Sequence, residues 1–153
     1  MIKIGRAVAS DALKIRELAV EAGIDAWTVR GYEAEIVRGD SFVLTALESE
    51  RIVGFLVARL VPGADVAFDA DLYNIAVQAG FRRQGIGRRL VSELSAMLRD
   101  KDVRNVWLEV RESNLSAIEF YGSEGFRSEI TRKNFYSDPT ENAVIMRLSL
   151  ISR

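Results

Sequence analysis

Two groups of residues in the second half of the sequence have types and spacing that could do chemistry. The first is a basic, glycine-containing segment, Arg82-Arg83-Gln84-Gly85-Ile86-Gly87-Arg88, which lies between a predicted strand and a predicted helix. The second is Glu109, an acidic residue inside an apolar strand segment, with Asn114 and Tyr121 a short way beyond it. The first group suits the binding of an anion, and the carboxylate of Glu109 suits proton transfer.

The glycine-containing segment has the features of a phosphate-binding loop. Gly85 and Gly87 let backbone N–H groups approach a ligand closely, and the helix that follows presents unpaired N–H donors and the positive end of its dipole. The segment lacks both the Gly-Lys-Ser/Thr ending of a Walker motif and the three-glycine spacing of a dinucleotide fingerprint. Further positive charge comes from Arg82, Arg83, Arg88 and Arg89. We predict a pyrophosphate site here, and the alternative is a glycine turn with a solvated basic helix start.

Glu109 is out of place in an apolar strand unless it is paired or functional. Strand alternation sets it opposite Leu108 and Val110, and burying an uncompensated carboxylate is costly. One interpretation is a catalytic base, and the other is a partly exposed carboxylate beside Arg111. For Tyr121 on the next helix, the ordinary interpretation is a core aromatic residue with a satisfied hydroxyl.

The composition excludes several catalytic classes. The sequence has no cysteine and no histidine, which excludes thiolate nucleophiles, zinc–thiolate sites, His-ligated metals and Ser-His-Asp triads. Proton transfer must therefore fall to Glu, Asp, Tyr, Lys or water. The formal net charge of -1 argues against a whole-protein electrostatic contact with nucleic acid. We expect no metal and no direct nucleic-acid binding.

The length and hydropathy predict one domain outside the membrane. A chain of 153 residues fits a single core, and we predict one domain over residues 1–153. The first eight residues lack an apolar segment of signal length, and no apolar run approaches the roughly 20 residues of a membrane span. We therefore expect a cytoplasmic protein without a membrane partner.

The apolar periodicity predicts a mixed α/β sheet, because strands and helices are interleaved but include hairpins. Helices are expected from the Ser10-Asp11 cap to Gly23 and over three further segments, 28–38, 86–101 and 114–124. The expected strands are 2–8, 42–47, 52–61, 72–77, 106–110, 126–131 and 143–150. The polar loop before the last strand contains Tyr136.

Two motifs together resemble a known family. Arg82-x-x-Gly85-x-Gly87 after Ile75-Ala76-Val77 resembles the acetyl-CoA signature of the GCN5-related N-acetyltransferases, or GNAT proteins. Leu108-Glu109-Val110-Arg111-x-Ser113-Asn114, with Tyr121 and Gly125-Phe126 beyond it, looks like the RimI branch of that family. Further matching blocks are 72–77, 132–136 and 143–146. That branch comprises bacterial enzymes that acetylate the N-terminal alanine of a small-subunit ribosomal protein.

The resemblance implies a fold and a cofactor site. The implied fold has about seven strands and four helices, with a splayed central strand pair. The backbone of Ile75-Ala76-Val77, through Ile75 and Val77, would pair with the pantetheine arm of acetyl-CoA like an added strand. The segment from Arg82 or Arg83 through Arg88 would hold the pyrophosphate. Asn114 would add a contact, and as an alternative or in addition it caps a helix.

The resemblance also implies roles in catalysis. Glu109 becomes the general base, Tyr121 the general acid, and the N–H near Val77 a donor to the oxyanion. At pH 7 about a tenth of an α-amine with a pKa near 8 is neutral, so a carboxylate suffices as its base. The implied partners are acetyl-CoA and a protein N-terminus, with a ribosomal protein as the candidate.

Several points stay open at this level. Asp65, Asp69 and Asp71 form either an acidic rim for a basic N-terminus or a plain solvated loop. Tyr136 contacts the substrate backbone or packs within its loop. The acceptor is alternatively a lysine or a small amine, and a noncatalytic acyl-CoA-binding module would need neither Glu109 nor Tyr121.

Overall fold

The computed structural model describes residues 1–63 and 67–151. In these residues seven strands form one sheet, in the spatial order β1-β2-β3-β4-β5-β7-β6. The strands are β1 (Ile2–Arg6), β2 (Ser41–Glu48), β3 (Arg51–Pro62), β4 (Phe68–Val77), β5 (Asn105–Arg111), β6 (Arg127–Tyr136) and β7 (Glu141–Ser149). The helices are α1 (Ala12–Glu21), α2 (Val29–Val37), α3 (Ile86–Arg99) and α4 (Leu115–Ser123). The predicted mixed α/β sheet with seven strands and four helices is confirmed.

The sheet is antiparallel except at its centre. β4 and β5 run parallel, and α3 connects them as a crossover helix. The predicted hairpin is formed by β2 and β3, and a second hairpin is formed by β6 and β7. The parallel pair therefore joins a four-stranded part of the sheet to a three-stranded part.

Two apolar clusters cover the two faces of the sheet. On one face, called here the α3 face, the amphipathic helix α3 buries an apolar stripe against side chains of β2 to β5 and β7. On the other, the α1 face, α1 and α2 pack against the strands β2 to β4. The buried residues of the α3 stripe are Ile86, Leu90, Val91, Leu94, Ser95 and Leu98.

A β-bulge in β4 precedes the place where the sheet opens. In the pairing of β3 with β4, Val57 lies opposite Asn74 and Ala58 lies opposite Leu72, so Tyr73 is the extra residue. A bulge bends and twists its strand locally, and it changes which face the following side chains occupy.

The parallel pair is short, and its strands then diverge. β4 pairs with β5 at Ala70–Val106 and Asp71–Trp107, although β4 continues to Val77 and β5 to Arg111. The two strands thus enclose a V-shaped opening beyond the bulge. The splayed central strand pair that the resemblance implied is present.

The acidic connection predicted before β4 is partly strand, and this prediction was wrong. Asp69 and Asp71 lie inside β4, which begins at Phe68. Asp69 is buried, and its carboxylate accepts hydrogen bonds from Trp107 Nε1 at 2.9 Å and Asn105 Nδ2 at 3.2 Å. Because these bonds satisfy the carboxylate, the strand extends through an acidic segment; Asp65 lies outside the described residues.

The end of β6 also differs from the prediction. The strand continues through Tyr136, which pairs with Glu141, so Tyr136 lies at a strand end and not in a loop. No helix among the described residues is long and apolar enough to cross a bilayer.

Candidate active site

The edge of β4 beyond the bulge offers backbone groups toward the opening. Gln78 N–H donates to Val53 O at 2.7 Å, so the polar groups of Gln78 point toward β3. Adjacent residues of a strand point their N–H and C=O groups to opposite sides, so those of Val77 and Ile75 point into the V-shaped opening. Ala76 instead faces β3 with its polar groups and buries its side chain on the α1 face. An extended ligand can therefore pair with Ile75 and Val77.

The glycine loop leads from this edge into α3. Gly85 is the N-cap residue of α3 with a φ of 80°, a left-handed conformation that disfavours any side chain. No side chain in the described part of the protein caps the helix, so the first N–H groups, from Ile86 onward, remain donors for an anion. Gln84 and Gly85 are exposed, whereas Ile86 is buried and fixes the start of the helix to the core.

The arginines of the loop differ in their surroundings. Arg82 Nε donates to Val77 O at 2.9 Å, which braces the loop against the edge of β4 while the guanidinium stays exposed. Arg83 is exposed and holds a φ of 64°. Arg88 Nε pairs with Glu124 Oε2 at 3.2 Å and so links α3 to α4. Arg82 and Arg83 are therefore better placed than Arg88 to meet a phosphate.

Gly87 has a packing role that its place in the motif did not indicate. A Cβ atom at Gly87 would lie 3.1 Å from Cζ of Phe120, whereas a Cβ at Gly85 would meet nothing within 4 Å. Gly87 therefore permits α4 to approach the first turn of α3. The two glycines are required for different reasons, one for backbone conformation and one for close packing.

We expect the substitution Gly87→Val to weaken acetyl-CoA binding and to lower stability by about 1–3 kcal/mol, because the new side chain displaces Phe120 and the first turn of α3. Calorimetric titration with acetyl-CoA and a melting curve measure the two effects. Gly80→Ala is the matched control, since a Cβ there meets nothing within 4 Å. Unchanged acetyl-CoA affinity in folded Gly87→Val protein would move the phosphate site elsewhere.

Asn114 is the N-cap residue of α4. Its side-chain oxygen accepts from Ala117 N–H at 3.2 Å, so the capping interpretation of this residue holds. The same side chain is exposed, and its amide N–H₂ group is a second functional end. A cofactor contact through that group is compatible with the cap.

Glu109 lies in a cleft on the α1 face of the sheet. The cleft has a volume of about 270 Å³ and includes Asp71, Tyr73, Trp107 and Tyr136 in its lining. The Glu109 side chain is 42% exposed, and its partner is Arg132, with Arg132 Nη1 at 3.7 Å from Glu109 Oε1. The carboxylate is thus accessible from the cleft and held by one distant cation.

Arg111, which the sequence offered as a neighbour for Glu109, has other partners. Its guanidinium pairs with Glu141 at 3.2 Å and lies 4.3 Å from the ring centre of Tyr136. Tyr136 is half-buried and lines the same cleft as Glu109. Burial first, and the charge of Glu109 second, raise the pKa of Tyr136 above its ordinary value. Tyr136 therefore lines the cleft beside Glu109.

Tyr121 lies on the other face of the sheet. It packs on the α3-face cluster, with its ring centre 5.4 Å from that of Phe120 and 5.5 Å from that of Phe126. Burial raises the pKa of Tyr121 to about 12. The phenol is therefore protonated throughout the neutral range and available as a donor.

The opening between β4 and β5 separates the two proton-transfer candidates. Glu109 points to the α1 face, because Leu108 and Val110 beside it belong to the α3-face cluster. Ile75, Val77 and Tyr121 pack on that α3-face cluster. Glu109 and Tyr121 therefore lie on opposite faces of the sheet that contains β4 and β5.

Sequence reasoning missed an aromatic cluster that includes Tyr73, one of the residues that line the cleft. The ring centre of Trp27 lies 5.3 Å from that of buried Tyr32 and 5.8 Å from that of Tyr73. The hydroxyl of Tyr32 donates to Asn74 Oδ1 at 2.7 Å, which ties α2 to β4. No periodic pattern signals a contact between residues more than 40 positions apart.

No group of three or more acidic side chains within residues 1–63 and 67–151 could hold a metal ion.

Comparison with known proteins identifies the family. The model of the acetyltransferase (GNAT) family matches residues 12–126. The ribosomal protein bS18-alanine N-acetyltransferase of Haemophilus influenzae is 33% identical over 147 residues, which cover 94% of this chain and 95% of that protein. The protein of the same name from Escherichia coli K12 is 44% identical over 84 residues, so the match spans 54% of this chain and 57% of the relative.

Solved structures agree with this assignment. The crystal structure of the ribosomal-protein-S18-alanine N-acetyltransferase from Escherichia coli has a TM-score of 0.86 and 29% identity, covering 100% of this chain and 96% of that one. Arabidopsis thaliana NAA60 in complex with acetyl-CoA shares the fold, with a TM-score of 0.87, 17% identity and coverage of 97% and 98%. The chain belongs to the GNAT acetyltransferase family. The predicted resemblance to RimI proteins, the predicted GNAT fold and the predicted class of N-acetyltransferase are confirmed.

Proposed function

We propose that this protein transfers the acetyl group of acetyl-CoA directly to the α-amine of a protein N-terminus. The observation that carries this proposal is the V-shaped opening between β4 and β5, which has Glu109 on one face and Tyr121 on the other. The acceptor we propose is the N-terminal alanine of a small-subunit ribosomal protein, because relatives that match nearly the whole chain are named for that reaction.

The residues at the β4 edge fit acetyl-CoA. Ile75 turns its backbone N–H and C=O into the opening, where they can pair with the amide-bearing pantetheine arm. Val77 turns its N–H there as well, while its C=O accepts from Arg82 Nε. The uncapped first turn of α3, entered through left-handed Gly85, can accept the pyrophosphate. Exposed Arg82 and Arg83 add charge for the phosphates, and Asn114 offers an amide donor at the start of α4.

The mechanism follows from what these residues do. Acetyl-CoA supplies an acetyl group activated as a thioester. Glu109 removes a proton from the acceptor ammonium, directly or through water, so that the amine can attack. The N–H of Val77 donates to the acetyl oxygen as negative charge builds there. Tyr121 gives its proton to the sulfur as the bond between carbon and sulfur breaks. The second proton, which the nitrogen loses as the amide forms, returns the phenol to its protonated form through water.

The shape of the acceptor cleft supports a protein N-terminus. The cleft is small, with Tyr73 and Trp107 in its walls and Tyr136 at the end of β6, so a chain end suits it better than a bulky compound.

We also propose that residues 1–153 work as one domain, since both apolar clusters pack on one sheet. A ribosomal-protein acceptor would place the protein in the cytoplasm.

The test is an acetyl-transfer assay with a panel of acceptors. Purified protein and acetyl-CoA are combined with peptides that begin with alanine, the same peptides blocked at the N-terminus but containing lysine, and spermidine. We expect transfer to the free N-terminal peptides at least ten times faster than to the others. Faster transfer to the blocked lysine peptide or to spermidine would favour a different GNAT acceptor, and acetyl-CoA binding without transfer to any acceptor would favour a noncatalytic module.

A further inference from the structure

Asp71 is a second carboxylate in the acceptor cleft, and the mechanism above does not use it. It lies in β4 directly opposite Trp107 of β5, at the closed end of the opening, and Glu109 is two residues further along β5. Both carboxylates line a cleft of about 270 Å³. A group that enters this cleft to reach Glu109 therefore comes close to Asp71 as well.

The cations near Asp71 are already engaged. Arg59 is its partner in the pairing of β3 with β4, but the guanidinium makes two hydrogen bonds to Glu35, one of them from Nε at 2.9 Å. Burial raises the pKa of Glu35, but these hydrogen bonds lower it by more, so the pKa of Glu35 lies below its ordinary value. Arg59 also lies 5.4 Å from the ring centre of Tyr73. Its charge is thus committed to Glu35.

Asp71 itself has no such compensation. Among the described residues no hydrogen bond or ion pair reaches its carboxylate, although Asp69 two residues away has two donors. Burial first, and the neighbouring Asp69 second, raise the pKa of Asp71 above its ordinary value. The charge of Arg59 opposes this shift without overcoming it. A partly buried carboxylate without a partner stabilises a cation that enters beside it.

We propose that Asp71 binds the positively charged α-ammonium group of the acceptor and positions it beside Glu109. This inference rests on the proposed function, and it specifies which feature of the acceptor the cleft recognises. At pH 7 about nine tenths of an α-amine with a pKa near 8 carries a charge, so the form that enters is a cation. Asp71 offsets the loss of water from that cation, and the rings of Tyr73 and Trp107 supply polarisable walls.

The two carboxylates then have different tasks. Asp71 holds the ammonium through its charge, whereas Glu109, on the strand that diverges, takes the proton. A lysine side chain carries the same charge, but an N-terminus presents the ammonium directly next to its own backbone. When the cleft is too short for a lysine side chain, binding through Asp71 selects the ammonium group of the chain end.

The experiment measures how tightly acceptor peptides bind to the protein when it is saturated with coenzyme A. Coenzyme A carries no acetyl group, so no transfer occurs. Four peptides are titrated: an alanine-initiated peptide with glutamine or lysine as its second residue, and each of these already N-acetylated. We expect Asp71→Asn to weaken binding of both free peptides at least about tenfold, as for loss of a hydrogen bond to a charged group, and to leave both acetylated peptides unchanged. Glu93→Gln, which removes one exposed negative charge on the opposite face of the sheet, is the matched control.

The remaining outcomes overturn the inference. A loss of affinity for the two lysine-containing peptides, whether or not they are acetylated, would show that Asp71 binds the lysine side chain. Equal losses of affinity for all four peptides would show that Asp71 has a structural role. Unchanged affinity for all four would show that Asp71 has no role in binding. If Asp71→Asn does not fold, as judged by melting, Asp71→Thr is used, because threonine suits a strand. Failure of the proposed function is distinct, since in the separate transfer assay with acetyl-CoA the unsubstituted protein would acetylate none of the free peptides.

Discussion

We expect Glu109→Gln to lower kcat/KM for acetyl transfer by about 10² to 10⁴ at pH 6 to 7, the usual contribution of a general base. The loss should shrink as the pH passes the pKa of the acceptor amine near 8, because a neutral amine needs no proton removed before it attacks. A profile of kcat/KM from pH 6 to 9.5, recorded for both proteins, measures this convergence.

The ion pair of Glu109 supplies the control for that experiment. Arg132→Gln removes the cation that lies 3.7 Å from Glu109 and leaves the carboxylate in place. Exposed pairs of this kind contribute about 0–1 kcal/mol, so both variants should melt close to the parent protein. We expect Arg132→Gln to keep kcat/KM within a few fold. A Glu109→Gln deficit that stays constant across the pH range, or that Arg132→Gln reproduces, would reject the role as base.

We expect Tyr121→Phe to reduce kcat by at least about 10² while the affinity for acetyl-CoA changes by no more than a few fold. The substitution keeps the ring against Phe120 and Phe126 and removes the proton donor. Because the pKa of Tyr121 is raised to about 12, the phenol does not titrate between pH 6 and 9.5. The deficit of this variant should therefore be the same throughout that range, unlike the deficit of Glu109→Gln.

Single-turnover measurements complete the test of Tyr121. They separate the chemical step from product release, which otherwise masks a slower transfer. If the single-turnover rate of Tyr121→Phe protein equals that of the parent protein, the acid role is contradicted. The hydroxyl would then be only part of the core. A deficit relative to the parent protein that changes steeply with pH would also contradict it, since an acid that stays protonated gives a deficit independent of pH.

The periodic parts of the sequence predicted the fold well. The stripe of α3, the helix expected over 28–38 and the β2–β3 hairpin follow from local patterns that act within a few residues. The glycine segment predicted a helix start with free donors, and the structure has one after left-handed Gly85. Local physics thus determines both the elements and the helix start at which we propose the phosphate site.

The features that the sequence did not reveal depend on distant partners. Asp69 extends β4 because Trp107 and Asn105 satisfy its carboxylate, and those donors lie more than 35 positions away. The same holds for Gly87, whose need to remain small comes from Phe120 on another helix. The bulge at Tyr73 arises from the register of two strands, which no single segment encodes. Glu109 was correctly placed on a strand, but its cleft needed the fold.

The short pairing between β4 and β5 has a consequence for how long the protein survives in a cell. Two register pairs join the two parts of the sheet at this point, and a ligand that pairs with Ile75 and Val77 occupies one side of the remaining gap. A ligand that binds the native state alone stabilises it by about 2.7 kcal/mol at one hundred times its Kd. Degradation of the opened chain should therefore slow when acetyl-CoA is plentiful and quicken when it is scarce.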